Sequence, residues 1–396
     1  MNIIPSLAKN LDEFREIRRD IHSHPELGYS ETRTAGIVAS KLSEYGIEVY
    51  RHIGRTGVVG VLRKGRAERG IGLRADMDAL PLLELNTFPH VSRHPGVMHA
   101  CGHDGHTAML LAAARYLSAE GDFDGTVHFV FQPAEEAGAG ARAMIDDGLF
   151  ERFPMQAMYG MHNRAGLPVG SFGINHGPVM TGSATFRIRV HGRGGHGGRP
   201  HLCVDPVPVS CHIVLALQSI VARNVDPNEA AVVSVTMIHA GEASNVIPGQ
   251  SEICGTVRAF SNAMLDVIEH RMKAMAHHTA KAHDCDCDVA FERGYPATVN
   301  EPRASQLCAE VIETIVGASN VQALQPSTGS EDFAFFLEKV PGAYVFIGNG
   351  KGTHREAGHG PGPCETHNPS YDFNDEIIPL GATYWARLAE AALKSQ

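Results

Sequence analysis

Three apolar runs in the first half of the chain, at 71–78, 125–131 and 157–163, stop on side chains that bind metals or carry protons. The first ends on Asp76 and Asp78, the second runs into Glu135 and Glu136, and the third ends on His162. Short apolar runs of this kind read as buried strands. Open α/β sheets build their sites beyond the carboxyl ends of such strands. Between the first two runs lies His99-Ala-Cys-Gly-His-Asp-Gly-His106. Gly102 and Gly105 permit a tight backbone there, so Cys101 and His103 can turn toward one ion. Thiolate, imidazole and carboxylate together suit zinc, and also manganese, cobalt or nickel. Glu135 and Glu136 are costly if both are buried and unpaired, because like charges repel. A metal removes that cost for one and leaves the other to act as a base. Four ligand-bearing segments along one sheet edge therefore predict an α/β domain with a metal centre.

The rest of the chain supplies the frame. Apolar periodicity predicts helices at 11–24 and 31–45, and strands at 47–50 and 57–62. A helix is expected at 107–117, behind the Cys/His loop, and a short one at 138–150. From 183 the order becomes strand 184–191, helix 204–223, strands 231–239 and 251–260, helix 264–283 and strand 288–292. That is the β-α-β-β-α-β ferredoxin-like unit, read as an insertion. The expected division is 1–182 and 297–396 for one domain and 183–296 for the other. After the insertion come a helix at 301–316, a short helix at 333–337 capped by Ser330, a strand at 342–347 and a final helix at 377–394. The Gly- and His-rich stretch 348–363 reads as a mobile loop.

Composition excludes several classes. At 396 residues the chain is long enough for two domains and a large core. With 34 basic against 44 acidic residues and a net charge of −10, no nucleic-acid footprint is visible. No apolar run reads as membrane-spanning, and residues 1–10 lack the apolar core of a signal peptide. Eight cysteines without a paired framework predict reduced thiols and a cytoplasmic protein.

Several segments together resemble the M20 metallopeptidase clan. Within it they are similar to the amidohydrolase branch of hippurate hydrolases, N-acyl-amino-acid deacetylases and auxin-conjugate hydrolases. The resemblance rests on Arg19-Asp-Ile-His-Ser-His-Pro-Glu-Leu27, Arg74-Ala-Asp-Met-Asp-Ala-Leu-Pro81, His99 to Thr107 and Phe131-Gln-Pro-Ala-Glu-Glu136. It continues through Gly192-Arg-Gly-Gly-His-Gly-Gly-Arg-Pro-His201, Ser327-Thr-Gly-Ser-Glu-Asp-Phe333 and His367-Asn-Pro369. It implies a mixed-sheet, zinc-exopeptidase-like catalytic domain with a ferredoxin-like α+β lid and dimerisation domain. It also implies two divalent ions held by Cys101, His103, Glu136, His162 and His367, with Cys101 bridging. Glu135 would be the general base and acid, and Asp78 would orient a ligand. His196, on the lid, would stabilise the oxyanion in its own or a neighbouring subunit. Asn245 and Arg258 would meet the substrate carboxylate. Thr366 stands where relatives often carry an apolar residue. The implied reaction is hydrolysis of the linear amide of an N-acyl amino acid, or of a small peptide or another amide, by a homodimer or larger homo-oligomer.

Blander readings apply elsewhere. His22, His24, His106 and His359 are expected to satisfy local backbone groups, and His201 to cap a helix or touch the surface. Cys285 and Cys287 are expected on an exposed helix end. Two rival functions remain at this stage. One is a metal-free cysteine hydrolase with Cys101 as nucleophile. The other is a metal- or ligand-binding protein without catalysis.

Overall fold

The apolar runs do form strands, although several end elsewhere than their patterns suggest. The computed structural model describes residues 1–355 and 357–394, the side chain of Ala137 apart. In chain order the first elements are α1 (Leu11–Ser23), α2 (Thr32–Glu44), β1 (Glu48–Ile53), β2 (Gly57–Lys64), β3 (Gly70–Asp76), α3 (His103–Ala119), β4 (Gly125–Gln132), α4 (Glu135–Gly138) and β5 (Ala157–Ala165). The predicted helix at 138–150 is broken. Ala139 and Gly148 adopt left-handed backbone, at φ 50° and 81°, and separate α4, Gly140–Asp146 and Leu149–Arg152.

The insertion follows as β6 (Gly182–His191), α5 (Pro206–Asn224), β7 (Ala231–Ala240), β8 (Gln250–Ala259), α6 (Asn262–Lys281) and β9 (Asp286–Arg293). The chain then closes with α7 (Pro302–Val316), β10 (Gly342–Gly350) and α8 (Ile378–Ala392). It divides into two compact units. One is Met1–Gly177 with Asn300–Gln325 and Asp332–Gln396, and the other is Pro178–Val299 with Pro326–Glu331.

The first unit is built on a mixed sheet of order β1-β2-β4-β3-β5-β10, extended by the short strands Phe172–Gly173 and Val321–Gln322. β4, β3, β5 and β10 are mutually parallel, and β1 and β2 run antiparallel at one edge. Every residue of β3 and β4 is buried, as expected for strands covered on both faces. Helix α3 packs on β3 and is covered by α1 and α8. Its middle, Ala108 to Ala114, is therefore apolar on all sides, and Met109, Leu110, Leu111 and, beyond it, Leu117 are fully buried. Each such side chain contributes about 1.5–3 kcal/mol. Its polar first turn, from His103 to Thr107, is buried as well and marks where the site lies.

The second unit is a four-stranded antiparallel sheet, β7-β8-β6-β9, with α5 and α6 packed against it. Strict alternation along β6 turns Ala184, Phe186, Ile188 and Val190 into a core of its own. Asp205 caps α5 by accepting from Val207 N–H at 2.9 Å, and Ser261 caps α6 by accepting from Met264 N–H at 3.1 Å.

Three expectations are corrected here. By length and composition α5 is apolar enough to cross a membrane, contrary to the reading that no run is; Val209, Ile213, Leu217 and Ile220 on it face the core of its unit. Cys285 and Cys287 are buried members of that core, not a solvated helix end, and burial pushes the Cys287 thiol up to about 11. Ser330 does not cap the helix Ala334–Leu337. The residue before that helix is Phe333, and the Ser330 hydroxyl has no hydrogen-bond partner among the described residues.

Candidate metal centre

Four backbone features carry the predicted ligands to one place. β3 ends at Asp76, and Asp78 lies just beyond it. Gly102, at φ 94°, turns the chain so that His103 opens α3 directly after Cys101. Any Cβ at Gly102 would come within 2.2 Å of Asn163 Oδ1 and 2.7 Å of the Tyr371 hydroxyl, so only glycine fits. Ala134 is left-handed (φ 50°) between β4 and α4, which turns Glu135 and Glu136 off the end of the strand. His367 is also left-handed (φ 63°), and its N–H donates to Ala100 O at 2.7 Å. Such conformations cost about 1–3 kcal/mol each and persist where surrounding contacts enforce them.

The result is two overlapping groups that share Cys101. In each, one ligand atom per residue lies within 4.8 Å of the others: Cys101, His103 and His162 in one, and Cys101, Glu136 and His367 in the other. Cys101 Sγ is 3.3 Å from His162 Nε2, and His367 Nε2 is 3.3 Å from Glu136 Oε1. Glu135 joins His103 and Glu136 in a third such group. Asp78 lies behind them: His103 Nδ1 is 2.9 Å from its carbonyl and 3.2 Å from its Oδ1, and its Oδ2 accepts from Glu136 N–H at 3.0 Å. That leaves His103 Nε2 facing the group. His103 Nε2 is buried and has no hydrogen-bond partner among the described residues, and buried Glu136 Oε1 meets the His367 ring as an ion pair outside hydrogen-bond geometry. A buried imidazole nitrogen without a hydrogen bond, 3.9 Å from a carboxylate oxygen, is what a cation between them would satisfy.

The electrostatics agree with that reading. Burial, and then the Glu136 charge, hold the Cys101 thiol well above its ordinary range. Burial opposes a proton on His103, but the Asp76 charge and its neighbours outweigh it and hold the ring well above its usual value. His162 is held well below it by burial and by His106. In the protein alone both Cys101 and His103 thus hold their protons more tightly than usual, and a divalent ion bound there would displace them.

The matching family model, Peptidase family M20/M25/M40, covers residues 72–391. The chain belongs to this family. It is 44% identical to the hippurate hydrolase of Campylobacter jejuni, across the full length of both chains. It is 37% identical to the IAA-amino acid hydrolase ILR1-like 4 of Arabidopsis thaliana, over 97% of this chain and 87% of that one. Among solved structures, a Bacillus subtilis protein described as a dinuclear metal binding peptidase from the M20 family superposes with a TM-score of 0.84 at 32% identity, covering 98% and 99% of the two chains. The M20 fold accounts for the mixed sheet in the first unit.

Cys101, His103, Glu135, Glu136, His162, His367 and Asp78 converge within the first unit. The remaining predicted residues lie in the second. His196 is exposed and pairs in a two-stranded ribbon with Val246, and the Asn245 carbonyl accepts from Gly197 N–H at 2.8 Å. Arg258, on β8, donates to Thr256 Oγ1 at 2.5 Å and to Val257 O at 2.9 Å. His201 lies exposed in the turn Pro200–Leu202.

Sequence reasoning missed a shell of buried polar residues around the ligands. His106, expected to satisfy a local backbone group, instead meets segments distant in sequence: its Nδ1 lies 2.6 Å from Asp76 Oδ1, and its Nε2 lies 2.7 Å from Asn163 Oδ1 and accepts from Asn163 N–H at 3.0 Å. His22 lies between Asp104 (2.8 Å) and Glu84 (3.2 Å), and His359 is 3.1 Å from Asp372. His24 does contact a local backbone group, with Nδ1 2.9 Å from Asp20 O. Fully buried Arg18 bridges Asp104 (2.8 Å) and Asp372 (2.7 Å). The signal available in the sequence was a charge on an otherwise apolar strand or helix face: Arg74 in β3, and Arg18 beside Phe14 and Ile21 on α1.

Proposed function

We propose that the chain is a binuclear metal-dependent amidohydrolase that cleaves N-acyl amino acids to a carboxylic acid and a free amino acid. The observation that carries this reading is the pair of ligand groups sharing Cys101, with the carboxylate of Glu135 beside them. The activities named for the relatives favour hippurate-like, acetyl or indole-acetyl substrates. Cys101, His103, Glu136, His162 and His367 would hold the ions, with Cys101 between them. Bound divalent ions supply an acidified water and a polarised amide carbonyl.

The residues do the rest. Glu135 takes a proton from the attacking water and returns it to the leaving amine nitrogen, for which one carboxylate must serve both steps. Asp78 fixes the His103 tautomer so that Nε2 faces the ion. His196 donates to the oxygen on which charge develops, and Asn245 and Arg258 bind the carboxylate of the amino-acid half. We further assign manganese, zinc, cobalt or nickel as the metal, a homodimer or larger homo-oligomer as the assembly, and the cytoplasm as the compartment.

The test is hydrolysis of hippurate, N-acetyl, long-acyl and indole-acetyl amino acids after chelation and after refilling with each metal. Cleavage of one class only with metal is expected. Activity that survives chelation would instead indicate Cys101 as nucleophile, a role that its raised pKa opposes.

A further inference from the structure

Arg74 lies in the middle of β3 among apolar neighbours and is 1% exposed. Its Nη1 donates to Asp76 Oδ2 at 2.7 Å, its Nε to Gln132 Oε1 at 2.8 Å and its Nη2 to Asp332 Oδ1 at 3.2 Å. Gln132 Nε2 lies 2.8 and 2.9 Å from the two Asp332 oxygens, and Ala141 N–H donates to Oδ2 at 2.9 Å. The Asp332 carboxylate is therefore held from β3, from the end of β4 and from the helix that follows Glu135. All of these side chains are fully buried. In such a low-dielectric setting a satisfied polar network is stiff. Its own peptide N–H donates to Glu135 Oε1 at 3.4 Å.

We propose that Asp332 is a positioning residue for Glu135: the carboxylate clamped by Arg74, Gln132 and Ala141 N–H aims the Asp332 peptide N–H at the base. Glu135 opens a helix of four residues after a left-handed turn, and its side chain has three rotatable bonds. A proton carrier must be held within a fraction of an ångström of its place, and a misplacement of about 1 Å can cost about 100-fold in rate. The other arm of Arg74 holds Asp76, the carboxylate behind His106. One guanidinium thus ties the base to the imidazole side of the centre. The inference rests on the reading of Glu135 as base.

The experiment is a double-mutant cycle on the metal-loaded full chain, using Asp332→Asn, Glu135→Gln and the pair, with kcat, KM and metal content measured for each. Asp332→Asn should lower kcat about 10- to 100-fold, with KM within about twofold and metal content unchanged. In the Glu135→Gln background the same change should cost less than about twofold, because its effect passes through the missing base. Equal losses in both backgrounds, an unchanged kcat, or a loss that tracks lost metal would overturn the proposal. Near-normal turnover of metal-loaded Glu135→Gln would remove the base itself, and this inference with it. A dead Glu135→Gln beside a fully active Asp332→Asn would remove only this inference. Should Asp332→Asn not fold, Gln132→Met deletes the Nε2 donor at similar bulk, and the same cycle should give about a 3- to 10-fold loss in kcat that vanishes without Glu135.

Discussion

At the scale of single residues, the proposed centre separates groups that would bind metal from one that would move protons. Glu135→Gln keeps the shape of the side chain and leaves the five proposed ligands in place. It should bind metal normally and lose about 10²- to 10⁴-fold in kcat, read by metal analysis and turnover on one preparation. A second residue reports on the buried shell. Burial and the Arg18 charge oppose protonation of His22, but Asp104 and Glu84 outweigh them and raise it from 6.5 to about 9. The folded state therefore binds this proton more tightly than the unfolded state. The resulting stabilisation, about 3 kcal/mol at most, is complete below pH 6.5 and is lost as the pH rises through about 9. Urea unfolding between pH 6 and 10 should show that loss, and His22→Gln should flatten it. A wild-type profile already flat across this window would contradict the assignment.

At the scale of elements, the Cys101-Gly102-His103 turn is the least replaceable piece of backbone. Gly102→Ala meets both a left-handed φ and atoms of Asn163 and Tyr371 inside contact distance. It should destabilise the first unit by about 2–4 kcal/mol and weaken metal uptake, as measured by thermal unfolding and metal titration. This turn was legible in the sequence because glycine and metal-binding side chains alternate there. The strands were legible for a related reason: β3, β4 and β6 carry patterns that only a doubly buried or half-buried strand explains. Where the elements begin and end was not. His103 opens α3 four residues before the expected start at 107 because Gly102 supplies the turn. β5 continues past His162 to Ala165 because β10 pairs along it as far as Gly350. Arg74, Gln132 and Asp332 carry no shared spacing, so nothing short of the fold could reveal that they meet.

At the scale of the whole molecule, the insertion has its own core, and the strands that lead in and out of it, Gly177–Met180 and Thr298–Asn300, pair with each other. A domain entered and left side by side can be removed without straining its host. Replacing 181–297 by a short Gly/Ser linker should leave a first unit that unfolds cooperatively and gains melting temperature with added metal, as any ligand of the native state requires. Hydrolysis should be lost, because His196, Asn245 and Arg258 leave with the insertion. Retained hydrolysis would deny those three a role. The pairing of Arg18 with Asp372 carries a different consequence, for the order in which the protein is made. Arg18 emerges early from the ribosome, and its partner follows 354 residues later. His367, which closes the second ligand group, arrives with the same late segment. Throughout that interval the nascent first unit lacks both a ligand and the second of the two carboxylates, Asp104 and Asp372, that its buried guanidinium bridges, while the insertion already has everything its own core needs. The insertion should therefore fold first, and stable metal uptake should wait until synthesis has passed Asp372.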